Sequence, residues 1–198
     1  MTDGERPLRA VPAAPSIDLP AAEKAAADLL RALGYDLTDA VLKDTPRRVA
    51  SGFAEMVTPV EFEMTTFPSE GYEGLIVARG IRFHSLCMHH MLPFVGVAHV
   101  GYLPDGRIVG LSKLARVVEH YARDLQVQER LTAQIAGCLQ EHLSPKGVGV
   151  VIEAEHLCMS LRGVEKPGTT TVTSSLNGLI RDDPATRAEF LAALRDVG

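Results

Sequence analysis

The sequence predicts an α+β fold, on three observations. Helical patterns fill the N-terminal third, strands with period-two alternation begin near residue 75, and two adjacent helices interrupt those strands between about residues 112 and 142. The alternation points to antiparallel sheet. The chain has 198 residues, 46% of them hydrophobic, which suits one packed core with a small appendage. The expected division is a flexible arm over residues 1–17, a helical region over 18–72 and a main domain over 73–198.

Residues 1–17 are rich in Pro, Ala and charge, the composition of a loosely ordered arm. A first helix starts near Pro20 with Asp18 close to the cap, carries Leu29, Leu30 and Leu33, and stops at Gly34. A second starts at Thr45-Pro46, where Thr can cap and Pro suits the first turn. It offers Val49, Phe53 and Met56 to a core and ends before Pro59. Residues 75–79 and 81–85 read as strands, and so do residues 95–103. Pro104-Asp105-Gly106 predicts a hairpin turn into Arg107-Ile108-Val109. Ser112 is the expected N-cap of a helix reaching about Arg123, and a second helix spans Val127 to about His142. Val148, Val150, Ile152, Ala154, His156 and Cys158 alternate, so one strand would put all six on one face. A polar strand over residues 169–175 follows. A terminal helix then starts at Asp183-Pro184 and carries Phe190, Leu191 and Leu194.

Composition excludes several classes of function. A net charge of −5 argues against nucleic-acid binding driven by overall charge. No window is long and apolar enough to span a membrane, and the N-terminal residues lack the apolar stretch of a secretory signal. Three cysteines, an odd number without such a signal, are expected as reduced thiols in the cytoplasm.

The chemistry centres on Cys87-Met88-His89-His90. A thiol and an imidazole three residues apart can reach one metal ion from a tight turn. An isolated Cys-x-x-His is equally a buried thiol beside a satisfied histidine. Two ligands do not complete a zinc site, and Cys158 is the best candidate for a third. Cys87, His90 and Cys158 then match a catalytic zinc site, with three protein ligands and one open position. His89 and His156 remain as imidazoles beside the metal, where protons would be moved. His120 and His142 read as exposed helix residues, His84 and His99 as strand histidines with satisfied rings, and Cys138 as core.

Two further groups are weaker when read alone. Ser112-Lys113-Leu114-Ala115-Arg116 opens a helix, and Lys113 and Arg116 share a face there, an arrangement suited to phosphate. A Lys-x-x-Arg pair is more often a solvated surface pair. Arg162 adds a third cation, with an ordinary ion pair as its bland reading. Glu129, beside Gln128, is a carboxylate able to accept two hydrogen bonds from the N1–H and amine edge of guanine. It reads equally as an acid stabilised at a helix start.

Taken together, these stretches resemble the GTP cyclohydrolase I family over roughly residues 20–195. The resemblance rests on Lys43-Asp44-Thr45-Pro46-Arg47-Arg48-Val49, Cys87-x-His89-His90-x-x-Pro93-Phe94-x-Gly96 and Gly110-Leu111-Ser112-Lys113-x-x-Arg116. It continues through Gln126-Val127-Gln128-Glu129-Arg130-Leu131-Thr132 and His156-x-Cys158-Met159-x-x-Arg162-Gly163. It implies the tunnelling fold, an antiparallel sheet with paired helices preceded by N-terminal helices. That fold assembles into a toroidal homo-oligomer, usually a decamer, with sites at subunit interfaces. It implies conversion of GTP to 7,8-dihydroneopterin triphosphate and formate, in a pterin or tetrahydrofolate route. It implies Zn2+ on Cys87, His90 and Cys158. Glu129 with Gln128 would read the guanine, and Ser112, Lys113, Arg116 and Arg162 would hold the triphosphate. His156 would protonate N7 during hydrolysis at C8, with His89 assisting. One position departs from the pattern: Met88 stands where the family usually has Glu. That departure keeps open a diverged paralogue with a partial reaction, or a silent subunit that binds nucleotide.

Overall fold

A tight turn that closes one long strand sets the geometry of the chain's chemical centre. In the computed structural model, which describes residues 16–195, the chain falls into two compact units, 16–58 and 59–195. The arm expected over residues 1–17 lies outside the described residues, save Ser16 and Ile17.

The first unit pairs α1 (Leu19–Ala32) with α2 (Thr45–Met56). Asp18 caps α1 as expected, its carboxylate accepting from Ala21 N–H at 3.0 Å. At α2 the cap position belongs to Asp44 rather than Thr45, and no side chain bonds the free N–H groups. Leu29 and Leu33 are exposed, while small residues (Ala26, Pro46 and Ala50) are the buried ones of this unit.

The second unit contains β1 (Thr66–Pro68), β2 (Ile76–Cys87), β3 (Pro93–Leu103), β4 (Arg107–Val109), α3 (Leu111–Ala122) and β5 (Leu125–Gln126). It continues with α4 (Gln128–Leu143), β6 (Gly147–His156), α5 (Leu157–Ser160), β7 (Thr170–Gly178), α6 (Leu179–Asp182) and α7 (Pro184–Leu194). Five strands form one sheet in the order β5-β2-β3-β6-β7, antiparallel except for the short β5–β2 pair. Residues 59–72, expected with the N-terminal helices, pack here instead. Met64 joins the main core, and β1 pairs with β4.

The alternation along β6 decides which side chains meet which helices. Val148, Val150, Ile152 and Ala154 enter the main core with Phe94, Ala98, Val100 and Tyr102 of β3 and the apolar residues of α3 and α4. Val151 points the other way and packs with Ile180 and Phe190 beneath α7. Burial of these aliphatic side chains contributes roughly 1.5–3 kcal/mol each, so the period-two pattern is strongly enforced.

Several local expectations change. Residues 75–79 and 81–85 form one strand, not two, because Gly80 at φ +72° absorbs a bulge that shifts the register between Ala78 and Ile81. The turn at Pro104-Asp105-Gly106 does not close a hairpin. It sends β4 to pair with β1, and Val109 N–H donates to Tyr102 Oη at 2.9 Å. Gly110, not Ser112, is the cap of α3, and Ser112 sits inside its first turn. The β6 strand ends at His156, and Cys158 belongs to the single turn α5. His120 is buried rather than exposed, with Nδ1 3.0 Å from the Val60 carbonyl and its ring between Phe62 and Tyr121. Cys138 is core, as expected. Among the described residues no helix is long and apolar enough to cross a membrane.

Gly96 faces Ala154 where β3 and β6 leave no room for a side chain, two residues from the Phe94–His156 pair. A Cβ there would collide with the Glu153 carbonyl and the Ala154 backbone, neither of which can move aside alone. Gly96→Ala is therefore expected to lower unfolding stability by about 3 kcal/mol, read from urea denaturation. A change under about 0.5 kcal/mol would show that the strands part without cost at this point.

Candidate metal and nucleotide site

Cys87 ends β2 and opens a turn that folds straight back into β3. Its N–H donates to the Leu92 carbonyl at 2.9 Å, and its own carbonyl accepts from Met91 N–H at 2.8 Å and His90 N–H at 3.3 Å. Met91 takes φ +54° to close the loop. Short β5 locks the turn from the other side: Met88 N–H donates to the Gln126 carbonyl at 3.0 Å. Gln126 is itself buried and held, donating to the Tyr121 carbonyl and Gln134 Oε1 while accepting from Arg130 Nε at 2.8 Å. Sequence reading missed this brace, because a two-residue strand has no periodicity to detect.

The turn and α5 bring three ligand types together. Cys87 Sγ lies 3.9 Å from Cys158 Sγ and 4.0 Å from His90 Nδ1. One ligand atom from each of the three residues lies within 4.8 Å of the others. Tetrahedral zinc with ordinary Zn–S and Zn–N bonds needs sulfur–sulfur and sulfur–nitrogen separations of about 3.8 and 3.6 Å. Two thiols and one imidazole at nearly these separations fit zinc in charge, softness and size. His89 Nδ1 is also close to Cys87 Sγ, at 3.7 Å, but His89 falls outside the compact three-ligand group.

His156 stands across the sheet from Phe94, and the two rings stack with centroids 4.7 Å apart and 8° between planes. Its Nε2 lies 2.8 Å from Gln128 Oε1. Burial holds the His156 imidazole below its ordinary pKa, opposed by the nearby Glu129 carboxylate. Burial, and then the neighbouring Cys87, pushes the Cys158 thiol upward. Glu129 is exposed on the first turn of α4, whereas Gln128 is 1% exposed. Arg162 Nη1 lies 3.2 Å from His90 Nε2, placing a cation at the rim. The loop bearing Arg162 is tied down by Glu155, whose Oε1 accepts from Ser160 Oγ and Gly168 N–H.

Close contacts thus join Cys87, His89, His90, Cys158 and Arg162 in one cluster, and His156, Gln128 and Glu129 in a second beside Phe94. Ser112, Lys113 and Arg116 stand on α3, Ser112 and Arg116 exposed, with Lys113 Nζ 5.9 Å from the Phe62 ring centre. Among the described residues no hydrogen bond, ion pair or ring contact joins these three to the cluster around Cys87. The side chain of Met88 is exposed, so its part in the turn is played by its backbone N–H.

A family model described as GTP cyclohydrolase I matches residues 22–195. This chain belongs to the GTP cyclohydrolase I family. It is 51% identical over 181 residues to GTP cyclohydrolase 1 of Thermobifida fusca (strain YX), across 88% of this chain and 87% of the relative. It is 47% identical over 180 residues to the protein of that name from Sinorhizobium fredii (strain NBRC 101917 / NGR234), covering 88% of each. With that of Synechococcus sp. (strain JA-3-3Ab) it shares 49% over 181 residues, covering 89% of this chain and 79% of the relative. The α+β architecture, with its antiparallel sheet and packed helices, is consistent with the tunnelling fold of GTP cyclohydrolase I.

The three thiols should behave differently. Cys158→Ala is expected to lose tightly held zinc, while Cys138→Ala keeps about one zinc per chain by elemental analysis. Full zinc in the Cys158 variant would remove that residue from the ligand set. Burial pushes the Cys138 thiol up to about 11, so it should resist thiol reagents at neutral pH. Ligand thiols must shed their protons to hold a metal, and the Cys158 thiol is raised, so zinc affinity should climb as pH rises through neutrality.

Proposed function

We propose that this chain hydrolyses and rearranges GTP to 7,8-dihydroneopterin triphosphate and formate, with zinc held by Cys87, His90 and Cys158. The observation that carries the reading is the compact Cys-His-Cys group, with His156 two residues before its Cys158, in a chain of the GTP cyclohydrolase I family. Zinc bound there would supply Lewis acidity and a water activated near neutral pH.

The chain's own residues bind, orient and move protons. Glu129 is exposed and acceptor-only, suited to the N1–H and amine edge of guanine. His156 delivers a proton to N7 of the base as C8 is attacked, and burial, which lowers its pKa, makes its imidazolium a readier donor. His89, 3.7 Å from Cys87 Sγ by its Nδ1, stands close enough to assist with the water or the ribose. Arg162 at the rim, with Ser112, Lys113 and Arg116, holds the triphosphate. That group undergoes no chemistry but contributes binding that positions the base. Among the described residues no hydrogen bond, ion pair or ring contact joins the α3 residues to the cluster, which suits their supply from a neighbouring copy in a toroidal homodecamer. A place in cytoplasmic pterin or tetrahydrofolate synthesis follows from the product.

Met88 leaves the turn itself intact. The turn needs only its N–H, which every residue but proline provides.

The test is a product assay on zinc-loaded protein with GTP, reading formate and the fluorescence of oxidised neopterin. Both are expected. Formate without neopterin would replace the proposal with a partial ring-opening reaction, and neither product despite bound GTP would leave a nucleotide-binding subunit. His156→Ala should retain zinc and lower kcat by about 10²–10⁴-fold. Arg116→Ala should chiefly raise KM for GTP, by about tenfold, and an unchanged KM would remove Arg116 from the triphosphate site.

A further inference from the structure

Gln128 is a motif residue whose side chain is turned inward. Its amide nitrogen donates to the Ile152 carbonyl at 3.1 Å, to the Thr171 carbonyl at 2.9 Å and to Thr173 Oγ1 at 3.1 Å. Two of these acceptors are backbone carbonyls that can never donate. The amide therefore cannot be flipped without setting its oxygen against two others. Its Oε1 must face His156 Nε2, 2.8 Å away, and an oxygen there requires an N–H on that ring nitrogen. Thr132 extends the lock, its hydroxyl 2.7 Å from Thr173 Oγ1 and 2.7 Å from the Gln128 carbonyl. The Phe94 stack fixes the plane of the imidazole.

We infer that Gln128 is a positioning residue that holds neutral His156 in the Nε2–H tautomer, so that His156 exchanges its working proton through Nδ1 alone. This rests on the proposed role of His156. It gives Gln128 a task other than reading guanine, since both its hydrogens are spent inside the protein. Neutral His156 has one lone pair, on Nδ1. Proton exchange with substrate is therefore confined to Nδ1, while the Nε2–H stays on Gln128 Oε1. The opposite tautomer would set two lone pairs against each other at 2.8 Å in a partly buried site. Nδ1 has no hydrogen-bond partner among the described residues, as a group that must meet substrate requires.

The experiment records ¹⁵N spectra of zinc-loaded protein labelled at histidine, assigning His156 by difference against His156→Gln. The expected result is a protonated Nε2 and a bare Nδ1. Gln128→Met, nearly the same size but without the acceptor, should show mixed tautomers. It should lower kcat by about 10²-fold, with KM within about threefold and zinc content unchanged. A proton on Nδ1 in the parent protein overturns the inference, and so does a Gln128→Met enzyme of undiminished kcat. If that variant fails to fold, the parent spectrum decides alone. An Nε2–H signal in a protein that releases no formate would defeat the functional reading while the tautomer assignment stands.

Discussion

The antiparallel register of β2, β3 and β6 is the constraint on which the site depends. It places Phe94 opposite His156 and Ser85 opposite Phe94, so the end of β2 and the end of β6 reach the same edge of the sheet. Cys87 and Cys158, 71 residues apart in sequence, thereby come within 3.9 Å. A slip of one residue would turn the buried valines of β6 outward and part the two thiols. The aliphatic core and the Cys-His-Cys group are therefore one design: burial of Val148, Val150, Ile152 and Ala154 sets the register that brings Cys87 and Cys158 together.

Around that edge the polar groups are satisfied by the protein rather than left to solvent. Gln126 braces the Cys87 turn, Gln128 braces His156, and Glu155 braces the loop bearing Arg162. Gln126 and Gln128 are buried, and removal of either would leave buried donors or acceptors unpaired, at a cost of about 1–3 kcal/mol. Such supports hold reacting groups in place more firmly than the ligands alone can, since a metal fixes its donor atoms but not the imidazole beside it.

Much of this was legible in the sequence, for identifiable reasons. Cys87, His90 and Cys158 stand out because few residue types bind zinc, and the alternation of β6 stands out because one side of it is buried. The parts that were not legible depend on contacts distant in sequence. Nothing local announces that β6 stops at His156, with Cys158 on a helical turn. Nothing in Pro104-Asp105-Gly106 says that β4 will pair with β1 instead of β3. The helical pattern presents His120 as exposed, whereas Val60 and Phe62 pack against it. Gln128 beside Glu129 read as a pair facing one ligand. On a helix, successive residues diverge by about 100°, and here one faces solvent while its neighbour enters the core.

The proposed chemistry needs a metal centre with three protein ligands and one position left open. Zinc K-edge X-ray absorption on the zinc-loaded protein tests that directly. The predicted first shell is two sulfurs, one imidazole nitrogen and one light atom without the outer-shell scattering of a second imidazole. A shell of two sulfurs and two imidazoles, with His89 as the fourth ligand, would describe a closed structural site and contradict the account.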